Sequence, residues 1–544
     1  MALVRAADIL AQRLRAAGCR HAFGMPGGEV LTLVDALTKA GIRFTLAAHE
    51  NAAGFMAKAV WQRTGTPGIV VATIGPGVLN AVTCVADALQ DSVPLIVLSG
   101  CFEADEALTY THQVVAHEKV FASLTKACFR LSPQGAHVIA DKALSIALEP
   151  RLGPVLIEAP IQSTNAQVPE EPSPSWQGYR RVPATPAVPV GEDFALACQW
   201  LEEAQRPLLI IGADALNEGA STQLRRFVDT LSIPFITTHK AKGIIPETHP
   251  LCLGAFGLSP LADRILVPFA QGADLVMCAG YDPIEVRPGW RQLWDPQANR
   301  VIDIAVAPNH HYMHQGTLNF VASVGATLQA LLAQVPPRAA GARPLGDGAK
   351  VKQDLAAAFP ADEEWGPAAI IDECRRALPA ATLATVDSGA HRILLAQLWT
   401  CHEPAGLMLS SGLSAMGCAV PLALGAGLAA PNRPIVAFCG DAGFLMSLGE
   451  LTTARDNRLK PIIVVFVDGA LALIELKQKQ RQLATQGVHF ATHDYPAIAR
   501  GMGGMGYAVD NRSALRRALQ EAQKSDGFSV IAAHIAKDSY EERF

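Results

Sequence analysis

The chain has 544 residues, half of them hydrophobic and 17% charged, which predicts two to four domains with large cores. Its net charge of −5 gives no reason to expect nucleic acid or an anionic membrane as partner. The eleven cysteines include no Cys-x-x-Cys pair, a pattern typical of reduced thiols in a cytoplasmic protein. We expect no secretory signal in residues 1–20, and no run reaches the roughly 20 apolar residues of a membrane helix.

Two proline-rich polar stretches, at residues 164–190 and 335–352, predict interdomain linkers. They separate three segments of domain size, residues 1–165, 190–335 and 353–544. Short β-rich runs alternate with longer helical patterns in each segment, as in the strand, helix and strand expected at 68–73, 80–89 and 95–99. This alternation predicts an α/β protein with three doubly wound, mostly parallel sheets.

A carboxylate in the first segment ends an apolar run and opens a helical pattern. Glu50 follows the run at 44–48 within His-Glu-Asn at 49–51. Taken alone, it is explained by a helix start, where the helix dipole favours a negative charge. Three other motifs of the segment accompany it, namely Phe-Gly-Met-Pro-Gly at 23–27, Gly-Pro-Gly at 75–77 and Asp-Ser-Val-Pro-Leu at 91–95.

Two carboxylates of the third segment each stand at the end of a predicted buried strand. Asp441 follows the apolar run at 434–439 and lies in Gly-Asp-Ala-Gly, and Asp468 closes the run at 461–467. Ligands of parallel α/β sheets bind at the carboxyl ends of the strands. A pair of carboxylates there suits a hard divalent cation that also carries a phosphate-bearing ligand.

The order and spacing of these motifs resemble thiamin-diphosphate-dependent enzymes over essentially the whole chain. The resemblance is to acetolactate synthases, in particular those of the catabolic type without FAD. It implies a pyrimidine-binding domain at 1–165, a middle domain at 190–335 and a diphosphate-binding domain at 353–544. It also implies thiamin diphosphate and Mg²⁺ as cofactors, no FAD, and active sites shared between subunits of a homodimer or homotetramer.

The resemblance also implies roles for individual residues. Glu50 would activate the aminopyrimidine ring, and Asp441 and Asp468 would bind Mg²⁺ together with the carbonyl of Ala470. Met416, which alone would be interpreted as core filling, would wedge between the two cofactor rings. The other positions implied to contact the cofactor are Pro26, Gly389, His391, Gly412, Ala442 and Gly443. Ala442 stands where the family usually has a third-position glycine.

The branch of the family is suggested by residues expected near the substrate. His112 and Gln113 resemble a pair that faces the substrate in catabolic acetolactate synthases, although a surface histidine is the alternative. His112 would donate or accept a proton at a substrate oxygen, and Gln113 would bind a carbonyl or carboxylate. The predicted catalytic residues are therefore Glu50, His112 and Gln113.

A second set of residues separates this chain from pyruvate decarboxylases. Those enzymes place a catalytic glutamate where this chain has Ile474, and Glu475 lies one residue further, which on a helix rotates the side chain by roughly 100°. Leu473 and Ile474 instead predict an apolar wall, typical of carboligases. The basic run at 477–482 is either a solvated helix face or a lid that contacts the substrate.

These observations favour a decarboxylating carboligase that joins a pyruvate-like 2-oxo acid to a second carbonyl compound. A non-ligating 2-oxo-acid decarboxylase and an aldehyde or acyloin lyase remain alternatives, because Leu471 and Ala472 depart from the family pattern near the expected pocket. A non-catalytic scaffold is disfavoured by the joint presence of Glu50, Asp441 and Asp468. An oxidoreductase is disfavoured because no Gly-x-Gly-x-x-Gly follows the first strand.

Overall fold

The computed structural model describes residues 2–170, 187–284, 286–338 and 348–544. Three six-stranded sheets, each parallel throughout, form the frame of the protein. The predicted α/β class with three mostly parallel sheets is therefore confirmed. Residues 171–186 and 339–347 of the two predicted linkers lie outside the described residues, so the domain boundaries stay predictions.

The first sheet is formed by residues 21–160. Its strands are β2 (His21–Met25), β3 (Arg43–Leu46), β4 (Gly68–Ala72), β5 (Leu95–Cys101), β6 (Ala127–Arg130) and β7 (Val155–Pro160). Its helices are α1 (Ala6–Ala16), α2 (Leu31–Lys39), α3 (Glu50–Thr64), α4 (Pro76–Asn80), α5 (Val82–Gln90), α6 (His117–Phe121), α7 (Ala136–Ala147) and α8 (Ile161–Asn165). The strand order is β3-β2-β4-β5-β7-β6, and a separate antiparallel pair joins β1 (Leu3–Arg5) to β8 (Gln167–Pro169).

The second sheet has the doubly wound strand order: the second and third strands lie on one side of the first strand, and the fourth to sixth lie on its other side. Its strands are β9 (Pro207–Ile211), β10 (Phe235–Thr237), β11 (Cys252–Ala255), β12 (Leu275–Ala279), β13 (Arg300–Ala305) and β14 (Leu318–Val321). They lie in the order β11-β10-β9-β12-β13-β14. Its helices are α9 (Glu192–Glu203), α10 (Ala213–Asn217), α11 (Ser221–Leu231), α12 (Pro260–Gln271) and α13 (Val324–Gln334).

The third sheet repeats the strand order of the first. Its strands are β15 (Leu383–Val386), β16 (Leu407–Leu409), β17 (Ile435–Gly440), β18 (Ile462–Val467), β19 (Met505–Val509) and β20 (Ser529–His534). They lie in the order β16-β15-β17-β18-β20-β19. The helices are α14 (Gly348–Ala358), α15 (Pro367–Ala377), α16 (Ala390–Leu398), α17 (Ala419–Ala429), α18 (Asp441–Met446), α19 (Glu450–Asp456), α20 (Ala472–Gln480), α21 (Tyr495–Gly501) and α22 (Arg512–Ala522).

The third sheet is buried on both faces, and alternate residues of its strands belong to different cores. In β17, Ala437 and Cys439 pack in a core shared with the first sheet, whereas Val436 and Phe438 pack in a core shared with the second. This follows from the two-residue period of a strand, whose successive side chains point to opposite faces. The continuous apolar runs that predicted buried strands therefore reflect burial on both sides.

Helices α3 and α17 join the first and third sheets by a close backbone contact. A side chain at Gly425 would place its Cβ only 2.3 Å from the carbonyl oxygen of Met56, so this helix pair requires glycine there. Helix α17 is buried along almost its whole length, and α3 is buried from Ala52 to Val60. The contact fixes the strand ends of the two sheets relative to each other. Among the described residues, no helix is long and apolar enough to cross a membrane.

Candidate active site

The two predicted metal-binding carboxylates lie at adjacent strand ends of the third sheet. Asp441 is the first residue of α18, directly after β17, and Asp468 follows the neighbouring strand β18. Asp441 accepts hydrogen bonds from the backbone N–H groups of Gly469 and Ala442, at 2.8 and 2.9 Å. Asp468 accepts one from the N–H of Ala470, at 2.9 Å. The backbone therefore holds both carboxylates in place at this edge.

Burial makes this acid pair electrostatically unfavourable when nothing else is bound. Burial, with the negative charge of Asp441 in addition, raises the pKa of Asp468 to about 7, and burial also raises the pKa of Asp441. No group of three or more His, Cys, Asp or Glu side chains comes together within the described ranges, so a cation here needs backbone and ligand oxygens as well. Two carboxylates supplemented by phosphate oxygens are the donor set that Mg²⁺ prefers.

A large cavity opens beside the acid pair. It has a volume of about 440 Å³ and is bounded by residues of the second and third sheets. Eight predicted cofactor or metal positions line it: Gly389, His391, Met416, Asp441, Ala442, Gly443, Asp468 and Ala470. The structure thus brings together residues that lie up to 81 positions apart, from 389 to 470.

His391 presents an uncharged ring to this cavity. It lies in the first turn of α16, is buried, and stacks on Phe466 with ring centroids 5.2 Å apart. Burial lowers its pKa to about 3, and its Nε2 atom has no hydrogen-bond partner in the portion of the chain described. An orphaned buried ring nitrogen in a cavity wall can donate to a phosphate oxygen, which fits a diphosphate ligand.

Asp387, which the sequence analysis did not single out, organises the wall around Met416. It is buried at the end of β15 and accepts hydrogen bonds from the N–H groups of Gly417 and Ala419, at 3.0 and 2.6 Å. Burial raises its pKa to about 6. A Cβ at Gly443 would lie 2.0 Å from its carboxylate, so the turn after Asp441 can approach only with glycine. The available signal was an aspartate directly after a strand and two residues before a glycine.

A buried ion network holds the segment that leads to Met416. Asp91 accepts hydrogen bonds from the N–H groups of Ser411 and Gly412, at 3.1 and 2.9 Å. Its other neighbours are Lys58, with which it forms a short hydrogen bond, and Lys240, whose ammonium lies 3.6 Å away. These groups come from all three sheets. Asp91 appeared in the sequence only as part of the Asp-Ser-Val-Pro-Leu motif, and its anchoring contacts could not be foreseen.

The predicted residues of the first sheet lie outside the cavity lining of the same chain. Glu50 is only 4% exposed, and its Oε2 accepts a hydrogen bond from the Asn80 amide at 3.0 Å. Pro26, His112 and Gln113 are exposed. Gly412 also does not line the cavity, and its backbone N–H donates to Asp91. A single chain therefore separates the predicted site residues into two groups.

Gln113 belongs to a loop that rests on the turn after β4. Its backbone has φ +58°, a conformation that residues other than glycine rarely adopt. A Cβ at Gly75 would lie 3.0 Å from the carbonyl oxygen of Gln113, so the two segments are in close contact. The N–H of Gly75 donates to His117, 3.2 Å away. These contacts fix the backbone next to His112 while its side chain stays exposed.

The outer wall of the cavity is apolar where α20 begins. Leu471, Leu473 and Ile474 line it, whereas the buried Glu475 does not. Glu475 is turned towards His489 and Lys479, which lie 3.0 and 3.5 Å from its carboxylate oxygens. The predicted apolar wall and the rotation of Glu475 away from it are both present in this geometry. Such a wall keeps water and carboxylic acids away from this side of the cavity, while Lys477 and Tyr540 line it elsewhere.

Comparison with known protein families matches the segment around each of the three sheets to a separate family model. These are "Thiamine pyrophosphate enzyme, N-terminal TPP binding domain" at residues 4–121, "central domain" at 194–331 and "C-terminal TPP binding domain" at 387–533. Thiamine pyrophosphate is another name for thiamin diphosphate. Each match lies within one of the three predicted segments and together they span most of the chain.

Curated relatives are similar over nearly the full length of both chains. An acetolactate synthase of Bacillus subtilis is 27% identical, over 97% of this chain and 92% of its own. The large subunit of acetolactate synthase isozyme 1 of Escherichia coli is 29% identical, over 98% and 94%. A probable 2-ketoarginine decarboxylase of Pseudomonas aeruginosa is 28% identical, over 97% and 93%. The resemblance inferred from the sequence motifs is thereby confirmed.

Proposed function

Because the chain is a thiamin-diphosphate-dependent enzyme that resembles acetolactate synthase, we propose that it is a decarboxylating carboligase that requires Mg²⁺. It would join a pyruvate-like 2-oxo acid to a second carbonyl compound. Bound thiamin diphosphate supplies a nucleophilic carbon and an electron sink for the decarboxylation. The residues of the chain supply the binding, the orientation, the exclusion of water and the proton transfers.

The cavity of the third sheet fits the diphosphate end of the cofactor. Asp441, Asp468 and the carbonyl of Ala470 would hold Mg²⁺, which relieves the repulsion between the two buried acids. Gly389, His391, Ala442 and Gly443 would contact the phosphates, and the neutral His391 ring would donate a hydrogen bond. Met416 would support the bent cofactor between its rings, and Gly412 would lie at the pyrimidine end.

The residues of the first sheet would serve the cofactor of a second copy of the chain. Glu50 and Pro26 would contact the aminopyrimidine ring, with the buried Glu50 carboxylate directing proton transfer. His112 would exchange a proton with a substrate oxygen, and Gln113 would bind a substrate carbonyl or carboxylate. The support for this arrangement is that Glu50 does not line the cavity of its own chain.

An apolar surface around Glu50 supports a homo-oligomer, a dimer or a tetramer. Large hydrophobic side chains at the carboxyl edge of the first sheet are exposed in the single chain: Met25, Leu46, Leu79, Tyr110 and Val114. Exposed apolar side chains concentrated at one edge mark an interaction surface. A twofold-related copy would bury this edge and give each cavity its Glu50.

Complementation between two inactive variants tests the shared site. Glu50→Gln and Asp441→Ala would each inactivate a homo-oligomer. Co-expressed at equal levels, they should recover about a quarter of the wild-type activity, because half the dimers are mixed and each mixed dimer has one intact site. Complete absence of recovery in isolated mixed oligomers would place Glu50 and Asp441 in the same chain's site.

The observation that favours ligation over simple decarboxylation is the apolar wall next to the acid pair. Leu471, Leu473 and Ile474 line the cavity, while Glu475 is engaged by His489 and Lys479. No carboxylic acid of α20 therefore lines the wall to protonate the reacting carbon. A reacting carbon shielded from protons remains available to attack a second carbonyl.

A non-ligating decarboxylase is the second candidate, favoured by the similarity to a probable 2-ketoarginine decarboxylase. Product identification separates the two. The purified enzyme, supplied with thiamin diphosphate, Mg²⁺ and pyruvate, should release CO₂ and form acetolactate. Acetaldehyde as the main product would establish the decarboxylase instead. Cleavage of an acyloin without any CO₂ release from 2-oxo acids would establish a lyase.

The second sheet supports the expectation that FAD is not a cofactor. At its topological switch point the turns after β9 and β12 touch, since a Cβ at Gly212 would lie 2.4 Å from the carbonyl oxygen of Gly280. Arg151 occupies the adjacent space and pairs with Asp282 at 2.7 Å and Asp214 at 3.5 Å. Heat-denatured enzyme should release no flavin absorbance; stoichiometric flavin would overturn this expectation.

A cytoplasmic location is also proposed. All eleven cysteines are free thiols, ten of them buried and Cys128 half-buried. Free thiols throughout are typical of a reducing compartment. Fractionation of the native host cells would test the location.

A further inference from the structure

Besides Arg392, two basic side chains line the active-site cavity. Arg287 lies beyond β12 in the second sheet, and Lys477 lies on α20 in the third. Both are exposed, and within the described residues neither forms an ion pair, although burial raises the pKa of the half-buried Asp263 and the charge of Arg287 helps to lower it again. Cations from two different sheets in one cavity create a strongly positive region.

The position of each cation is set by its surroundings. The N–H of Arg287 donates to the carbonyl of Gly257 at 3.1 Å, which brings Arg287 and Leu258 to the cavity together. Lys477 is four residues after Leu473 and three after Ile474, so the three side chains share one helix face. Lys477 therefore places a positive charge next to the apolar wall. Of the run at 477–482, only Lys477 lines the cavity, which supports the lid interpretation for this one residue.

Other charged groups of the cavity are already engaged. Among the described residues, Asp441 and Asp468 are the carboxylates of the lining, and both lie at the proposed metal position. Arg392 donates to the carbonyl of Ser410 at 2.6 Å and to the hydroxyl of Ser414 at 3.3 Å. Arg287 and Lys477 are therefore the cations left for an anionic substrate group.

The reaction itself limits which carboxylate the two cations can usefully bind. The donor's own carboxylate leaves as CO₂, so binding it tightly would stabilise the ground state and slow the step. A carboxylate that is retained in the product is stabilised by a cation in the ground state and in the transition state alike. Along the chain, the apolar residues Leu471, Leu473 and Ile474 lie between Asp468 and Lys477, and such a lining suits a short methylene chain.

We propose that one substrate of this enzyme is a 2-oxo dicarboxylate of four or five carbons whose distal carboxylate is bound by Arg287 and Lys477. This inference rests on the proposed function, because it specifies the substrate of the same cavity. It also predicts that a 2-oxo acid with a cationic side chain, such as 2-ketoarginine, is a poor substrate, since two positive charges would face its guanidinium group.

The test compares 2-oxoglutarate, 2-oxobutyrate and 2-ketoarginine as substrates for the holoenzyme. Initial rates of CO₂ release give kcat/KM for each, alone and with pyruvate as the second substrate. The variants are Arg287→Met and Lys477→Met, which remove the charge and keep side-chain length. Arg291→Met and Arg481→Met are matched controls, because both residues are exposed and neither lines this cavity.

We expect wild-type enzyme to prefer 2-oxoglutarate to 2-oxobutyrate at least tenfold in kcat/KM. Each cavity variant should raise KM for 2-oxoglutarate about tenfold or more, as expected for loss of a charge-assisted contact. Its kcat/KM for 2-oxobutyrate should stay within about twofold of wild type, and the control variants should behave as wild type.

Three outcomes would overturn the inference and leave the proposed function standing. Equal or better use of 2-oxobutyrate by wild type would remove the need for a distal carboxylate. An equal loss for both substrates would assign the cations to the acceptor's own carboxylate. A higher thiamin diphosphate concentration for half-activation would assign them to the cofactor phosphates. Absence of CO₂ release from every 2-oxo acid, with cofactor binding intact, would overturn the proposed function as well. This result differs from the other three, in which CO₂ is still released.

Discussion

The first and third sheets have the same strand order but carry different chemistry at corresponding strand ends. In the third sheet, the middle strands β17 and β18 are directly followed by Asp441 and Asp468. In the first, the corresponding strands β4 and β5 are followed by the Gly75 turn and by the loop that contains Gln113. The shared topology provides a binding edge in both, and the residues at the strand ends decide which part of a ligand each edge can bind.

The paired helices α3 and α17 show the same contrast. Each follows the second strand of its sheet, and each begins next to a buried carboxylate. Asp387, next to the start of α17, accepts hydrogen bonds from the N–H groups of Gly417 and Ala419 through both carboxylate oxygens. Glu50 at the start of α3 accepts only the Asn80 amide through Oε2, as far as the described residues show. One acid is therefore structural, while the other retains an oxygen for a ligand.

Removing the acids of the third sheet should have the largest effect. Asp441→Ala or Asp468→Ala should abolish Mg²⁺-dependent binding of thiamin diphosphate, a loss greater than the ~100-fold expected for an outer-shell residue. Calorimetric titration of thiamin diphosphate at several Mg²⁺ concentrations measures it. Asp526→Ala, a fully exposed surface control, should bind normally. Unchanged Mg²⁺ dependence in both acid variants would remove the metal site from this edge.

Replacing the acid of the first sheet should separate binding from turnover. Glu50→Gln keeps the shape of the side chain and its contact with Asn80, but it removes the carboxylate charge. We expect kcat to fall by about 10²–10⁴, the range for loss of acid–base catalysis, with the affinity for thiamin diphosphate largely retained. Steady-state kinetics and cofactor titration test this, with the exposed Glu118→Gln as control. Full activity of Glu50→Gln would contradict the catalytic assignment.

Disrupting the ion network should damage the connection between the sheets. Asp91→Asn leaves Lys58 and Lys240 buried with less compensating charge, and breaking such a pair costs about 3–5 kcal/mol. The variant should unfold at lower urea concentration and bind thiamin diphosphate more weakly, because Gly412 loses its anchor. The exposed Asp105→Asn is the control. Wild-type stability in Asp91→Asn would show that the network contributes no net stabilisation.

Much of the fold could be predicted because its signals are local. The apolar runs of β17 and β18 predicted the two strands, and the position of Asp441 and Asp468 directly after those runs predicted the two metal-binding carboxylates. The anchoring of Gly412 by Asp91 could not be predicted, because those residues are far apart in sequence and meet only through packing of all three sheets. Likewise, a pattern on α20 could not show whether Lys477 points into the cavity, since Arg287 and Leu258 come from another sheet.

The smallest expected effect concerns His391 and tests whether its ring acts as an uncharged donor. Because burial lowers its pKa to about 3, the ring is neutral from pH 5 to pH 9 and gains no proton in that window. His391→Ala should weaken thiamin diphosphate binding about tenfold through loss of a hydrogen bond to a charged phosphate. His391→Asn, which keeps an N–H donor, should recover part of that affinity. The pH profile of kcat should have the same shape in wild type and both variants. If one limb of the profile disappears in His391→Ala, the ring titrates in this range, and its charge rather than its N–H group contributes to phosphate binding.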